Sequence, residues 1–250
     1  MPVAEADGEF VVMYENDEVN GMPLFHVDLL ALNVLSDIKD TLSLIKERYN
    51  EDVVFEEDKC EDEKTFSLIN ALDTEDVFQL SFESAKGFIK KHPVKSLNDL
   101  SFILAVCRPP YIDELESFGE SSTGLSAFLP ETKGVLVYQE QVMEILHELC
   151  DIDFGEANRV RKLLATRNSD EAAAFKKIFT EKVSAKCGYE IANKTWGYLW
   201  NNSLYCFLKA HSMSYAFMAY QSAYLKANYR KEFNDVFTKR RKEFAQRATM

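Results

Sequence analysis

Four groups of basic side chains have the type and spacing needed to hold a polyanion. Arg159, Arg161, Lys162 and Arg167 fall on or beside a helix opened by Asp153-Phe154-Gly155-Glu156. Arg159 and Lys162 share a face of that helix, and Arg161 fans to another side. Lys209 and His211, with Ser212 next in the chain, stand just before a helix start, where cationic side chains and N-terminal amides can share a phosphate. The run Lys239-Arg240-Arg241-Lys242, with Arg247, reads either as a DNA-tracking helix or as a solvated basic face that suits the helix macrodipole. Arg108, fixed by Pro109-Pro110 after an apolar segment, is placed to grip a phosphate or simply to end a helix with a salt bridge. The Lys-x-His-Ser string also has a plain reading, a capped helix with surface charges. Asp151-Ile152-Asp153 resembles a paired-carboxylate metal motif, yet Asp153 immediately before a helix is better suited to be its N-cap. Glycine-rich phosphate loops, zinc spacings and Gly-x-Ser-x-Gly elbows are absent from the sequence.

These groups must be positioned by a mainly helical scaffold. Apolar residues at three- and four-residue spacing (Leu32, Leu35, Ile38, Leu42, Ile45) predict a helix that ends near Tyr49-Asn50. An acidic stretch from Glu51 to Glu63 follows and reads as a solvated loop. Shorter helices are predicted at 62–71, 83–91 and 96–106. Residues 109–132, with three prolines, two glycines and a Ser/Thr cluster, form a long loop or lid. Further helices are predicted at 138–150, 154–166, 169–187, 189–200, 212–228 and 230–247. The β-rich runs 9–15 and 23–30, with Asn20-Gly21 between them, predict a hairpin or the edge of a larger sheet. The aromatics Tyr215, Phe217, Tyr220 and Tyr224, at helical spacing, are core residues more often than base-stacking platforms. The fold class is therefore mainly α with a small β portion at the N-terminus (α+β). Its expected division is a first segment at 1–50 and a helical domain at 51–250.

With 250 residues, 46% apolar and 28% charged, the chain is long enough to bury a real core and is neither disordered nor a disulfide scaffold. The formal charge of −12 argues against a free-standing nucleic-acid binder. That charge is unevenly placed: residues 1–130 carry 10 Lys/Arg against 27 Asp/Glu, and residues 131–250 carry 19 against 14. Cys60, Cys107, Cys150, Cys187 and Cys206 lack metal-ligand spacing and read as reduced, mostly buried thiols of a cytoplasmic protein. No apolar run reaches membrane-spanning length and no signal peptide is evident.

Taken in order, several strings resemble the bacterial replicative DNA polymerase III alpha subunit, the C-family polymerases. Val27-Asp28-Leu29-Leu30-Ala31-Leu32 resembles a palm strand of that family, and Val77-Phe78-Gln79-Leu80 its Phe-Gln-Leu-Glu-Ser block. Arg108-Pro109 corresponds to Tyr-Arg-Pro-Gly-Pro. Gly134-Val135-Leu136-Val137-Tyr138-Gln139-Glu140-Gln141-Val142-Met143 is close to the family signature. Gly155-Glu156-Ala157 through Arg161-Lys162, Lys209-Ala210-His211-Ser212, and Tyr220 to Ala227 complete a collinear series over about residues 9–237.

The resemblance implies a C-family fingers-like helical domain behind a palm-like remnant. It implies Asp28 as the third palm carboxylate, a catalytic Mg²⁺ ligand. It implies Arg108, Gln139, Arg161, Lys162, Arg167, Lys209, His211 and Ser212 as contacts to incoming nucleotide and DNA. The family's Asp-x-Asp pair is missing, and one carboxylate cannot clamp two ions. Ser81, Pro110-Tyr111, Thr166-Arg167 and Leu208 depart from the family pattern. The expectation is a fingers module of a nucleotidyltransferase, inactive alone, that works with a separately encoded palm, template–primer DNA and dNTP, with no membrane role. The alternative is a non-catalytic decoy or regulator that binds replication proteins or DNA. A third is an excised or degenerate fragment.

Overall fold

The structure is a computed structural model. It describes residues 3–6, 8–14, 22, 32–107, 125–132 and 134–248, with residues 6, 126, 127, 169 and 241–248 as backbone only. The chain divides into two compact units, Met1–Asn33 and Val34–Met250.

In the first unit, β1 (Val3–Ala6) pairs antiparallel with β2 (Glu9–Val12), Val3 opposite Val12 and Ala6 opposite Glu9. The 9–15 run thus supplies a strand that pairs with the preceding segment Val3–Ala6. The turn between them is closed by Gly8, whose φ of +81° is disfavoured for residues with a Cβ. The 23–30 run and Asn20-Gly21, expected to supply the second strand and the turn, lie outside the described residues.

The second unit is helical: α1 (Asn33–Tyr49), α2 (Glu63–Asn70), α3 (Glu83–Lys91), α4 (Leu97–Val106), α5 (Gln139–Cys150), α6 (Phe154–Ala165), α7 (Ser169–Cys187), α8 (Tyr189–Asn202), α9 (Lys209–Asn228) and α10 (Arg230–Ala248). Their starts follow local chemistry. Asp62, Ser96, Asp153 and Asn168 each accept a hydrogen bond from the backbone N–H three residues on, which satisfies one orphan donor of the first turn. Helix α1, grouped with residues 1–50 on sequence grounds, belongs to this unit. Its buried face is Val34, Asp37, Ile38, Thr41 and Ile45, whereas Leu35, an expected core residue, is exposed. The last turn of α1 is tied to α10, where Arg48 donates to Glu232 at 2.7 Å and to Asp235 at 2.8 Å. The acidic stretch 51–63 is mostly exposed, as expected, but its ends are anchored. Tyr229 Oη donates to Glu51 at 2.6 Å, and Asp62 caps α2.

Two apolar clusters share this unit. The first gathers side chains of α2, α3 and α4 against the inner face of α9, with Leu80, Ile89, Leu100 and Ala219 fully buried. The second is built from α5 to α8 and includes Val142, Phe179, Trp196 and Leu199. Each fully buried Leu or Phe stabilises the fold by roughly 2 kcal/mol. Tyr215, Phe217, Tyr220 and Tyr224 fall to the core reading in part. Tyr220 is buried in the first cluster, and Phe217 and Tyr224 pack on its edge. Residues 109–124 of the expected loop lie outside the described residues. The rest forms two 3-10 turns, Leu125–Phe128 and Pro130–Thr132.

Candidate functional site

Two of the places where the chain passes between the clusters meet. Leu136 is in the second cluster, whereas Val137 and Tyr138 are in the first; Cys206 is in the second, with Phe207 packed on the first. At this seam Tyr138 and Phe207 form a parallel bridge. Phe207 N–H donates to Val137 O at 2.8 Å, and Gln139 N–H to Phe207 O at 2.9 Å. Two segments distant in sequence, 134–143 and 206–212, thereby become one site.

The seam is fixed from inside by polar groups with named partners. The fully buried side chain of Gln141 reaches back, its Oε1 accepting the N–H groups of Val137 and Tyr138, both at 2.9 Å. Its Nε2 donates to Thr132 Oγ1 at 2.8 Å, and Thr132 Oγ1 donates to Val135 O at 2.6 Å. Leu136 N–H donates to Tyr198 Oη at 3.0 Å. Tyr138 Oη lies 3.0 Å from Ser101 Oγ, and burial pushes that phenol up to about 12, so the ring stays neutral. Gly134, with φ of +88°, makes the turn that launches this segment.

Among the expected site residues, Gln139, Lys209, His211 and Ser212 are brought together here. Gln139 Nε2 donates to Cys206 O at 3.2 Å. Lys209 is half-buried. Its backbone N–H is held by both oxygens of Glu140, its Nζ lies 2.6 Å from Glu131 Oε2, and Nζ sits 5.8 Å from the centroid of the Tyr138 ring. The expectation of phosphate-ready amides at this helix start is thus modified, because the first N–H already has a carboxylate on it. His211 packs between Phe207 and Tyr215, with ring centroids at 5.3 and 4.3 Å. Ser212, expected to face nucleotide, is fully buried. Its hydroxyl donates to Ser101 O at 2.7 Å, which places that group at the contact between α9 and α4 instead of at the surface.

The remaining basic residues are distributed differently. Lys162 is exposed on α6, and Arg161 is half-buried with Nε donating to Asn158 Oδ1 at 3.0 Å. Arg167 follows α6 with a left-handed backbone (φ +56°) and turns toward the end of α8. There its guanidinium donates to the carbonyls of Trp200 and Asn201 and lies 4.9 Å from the Trp200 ring centroid. Arg167 therefore closes a helix C-terminus, a use that its sequence context did not reveal. Arg159 is paired with Glu156 and Glu171, and Arg240 of the terminal basic run with Asp37 and Asp40. Several cations of the second half, Arg159 and Arg240 among them, are thus matched by the chain's own carboxylates. Asp28 and Arg108 lie outside the described residues.

The two-carboxylate motif resolves in favour of the cap. Asp153 accepts Glu156 N–H at 2.8 Å, and Asp151 pairs with Lys186 at 3.0 Å. Among the described residues no group of three or more His, Cys, Asp or Glu is arranged to hold a metal ion. Burial pushes the thiols of Cys60 and Cys150 up to about 11 and that of Cys107 up to about 12, which makes them poor nucleophiles. No described helix is long and apolar enough to cross a membrane.

Comparison with known proteins agrees with this geometry. The family model described as the bacterial DNA polymerase III alpha subunit finger domain matches residues 34–187, beginning where the helical unit begins. The chain is 32% identical over 243 residues to the DNA polymerase III subunit alpha of Aquifex aeolicus, covering 92% of this chain and 21% of that protein. It is 32% identical over 242 residues to the Thermotoga maritima subunit (95% and 26%) and 27% identical over 241 residues to that of Bacillus subtilis (92% and 22%). The chain spans about a fifth to a quarter of the length of these relatives. With the family signature and the Lys-x-His-Ser segment joined at one seam of a helical unit, the chain belongs to the finger-domain family of the bacterial DNA polymerase III alpha subunit.

Proposed function

We propose that this chain supplies the fingers of a polymerase III alpha-type DNA polymerase, contacting the incoming nucleotide and the template–primer end for a palm carried on another polypeptide. The observation that carries the reading is the joining of segments 134–143 and 206–212, which sets Gln139, Lys209 and His211 side by side at the start of α9. Cations at such a place suit a triphosphate, because phosphoryl transfer spreads negative charge over oxygens that need fixed positive partners. Arg161 and Lys162 on α6, with Arg108, extend the same polyanion-facing role toward DNA, in a cytoplasmic setting, whereas Arg167 is committed to the carbonyls that end α8. Asp28 joins the palm carboxylates, and Mg²⁺ enters only with the Asp-x-Asp pair that the partner contributes.

The test is primer extension with a palm-bearing polymerase III alpha fragment added in trans. The mixture is expected to extend a primer with Mg²⁺, the chain alone is not, and Asp28→Ala abolishes extension without loss of the complex. Lys209→Ala raises the KM for dNTP about tenfold, the loss of one charge-assisted hydrogen bond to phosphate. Extension by the chain alone, or an unchanged KM in the Lys209 variant, overturns the proposal.

A further inference from the structure

Lys209 is not an open cation. Its ammonium is 2.6 Å from Glu131, with about a third of each side chain exposed, while its N–H is held by Glu140. Glu131 is not a chance neighbour either. It sits on the turn Pro130–Thr132, whose last residue is fully buried and locked by Gln141 and by the Val135 carbonyl. The carboxylate therefore projects from a fixed turn to the place where a phosphate oxygen would meet Lys209. The Tyr138 ring covers one side of the ammonium, 5.8 Å from its centroid.

We propose that Glu131 is a built-in competitor for the anion site at Lys209: its carboxylate occupies the ammonium until a polyphosphate displaces it. This rests on the reading of Lys209 as a phosphate contact. The device weakens loose association with inorganic phosphate or single phosphate groups, whereas a triphosphate, with several negative oxygens, displaces the carboxylate more readily. Because the pair is exposed, its strength is that of a surface ion pair, a factor of about two to five in an equilibrium constant.

The experiment is calorimetric titration of the full chain with inorganic tripolyphosphate, at low and high salt, for wild type, Glu131→Gln, Glu131→Ala, Lys209→Ala and the Glu131→Gln/Lys209→Ala pair, each checked for an unchanged circular dichroism spectrum. Both Glu131 variants are expected to bind about two- to fivefold tighter than wild type. The gain should shrink at high salt and vanish in the Lys209→Ala background. A gain that persists without Lys209 shows that Glu131 acts only through the general field, and overturns the inference. No gain, with Lys209→Ala still weakening binding, overturns it and leaves the anion site standing. Binding indifferent to Lys209, or absent from every variant, overturns the anion site and the inference together.

Discussion

The carboxylate of Glu140 accepts the backbone N–H of Lys209 through both oxygens, at 3.1 and 3.0 Å, and so caps α9 from a different helix. The residue in the N-cap position of α9, Leu208, has no side-chain acceptor of its own. Glu140→Ala should cost about 1 kcal/mol, in line with loss of an N-cap. For a chain of this size that is about 2–4 °C in the thermal midpoint. Glu140→Gln keeps an acceptor and should lose less than half as much. Equal midpoints for wild type and the alanine variant would remove Glu140 from the list of groups that hold the seam.

Gln141 offers a sharper contrast, since it satisfies two buried N–H groups and donates to a buried hydroxyl. Gln141→Leu leaves the N–H groups of Val137 and Tyr138 without an acceptor and should cost about 2–4 kcal/mol. Gln141→Glu retains both acceptor contacts but places a carboxyl at a fully buried site, so the comparison belongs near pH 4, where that carboxyl is neutral; there its denaturation midpoint should fall between those of wild type and the leucine variant. A glutamate variant as unstable as the leucine variant would contradict this division of roles.

Asp73 joins the loop after α2 to α9 and α10. The nearly buried Lys226 lies 2.8 Å from its carboxylate and Arg230 2.5 Å. Hydrogen bonds from Lys226 and then Arg230 hold Asp73 below the usual aspartate range, against a smaller opposing effect of burial. A folded-state value below the unfolded one means that the contribution is full above about pH 4 and is lost as pH falls toward the folded value. Asp73→Asn should destabilise by about 1–2 kcal/mol at neutral pH, a figure discounted because the carboxylate is partly exposed. The gap from wild type should close during acid titration monitored by circular dichroism, and a gap constant down to pH 3 would refute it.

Asp37 runs the other way. It lies on the buried face of α1, with Arg240 at 2.8 Å, yet burial outweighs that partner and lifts the carboxyl above its ordinary value. A raised folded-state value makes the ionised carboxylate a burden above the unfolded value, relieved as pH drops through it. Asp37→Asn should raise the thermal midpoint by about 1–3 °C at neutral pH, an advantage that disappears near pH 4. A lower midpoint at neutral pH would show instead that the ion pair with Arg240 is a net stabiliser.

Helix starts were legible because they are local. Asp153 reads as a cap from its place before a helix, and the structure uses it so; Asp62 and Ser96, at the starts of the helices expected at 62–71 and 96–106, turn out to cap in the same way. The α-rich class and the strings that mark the finger-domain family were also present in one dimension. The face of α1 that packs differs from the one expected, for a physical reason. An apolar residue in the chain does not say which neighbour will cover it, so Leu35 read as core although Val34 and Asp37 are the residues that pack.

The fate of the charges was not legible at all. Composition and spacing determined that the second half carries the basic residues, and that Lys209 and His211 stand at a helix start. Only the tertiary structure decided that Arg167 would close the end of α8, that Ser212 would be buried against Ser101, and that Glu131 and Glu140 would both reach Lys209. Periodicity and capping act over three or four residues and are written in the sequence. An ion pair between side chains 78 positions apart depends on how two apolar clusters meet, and that is settled by packing.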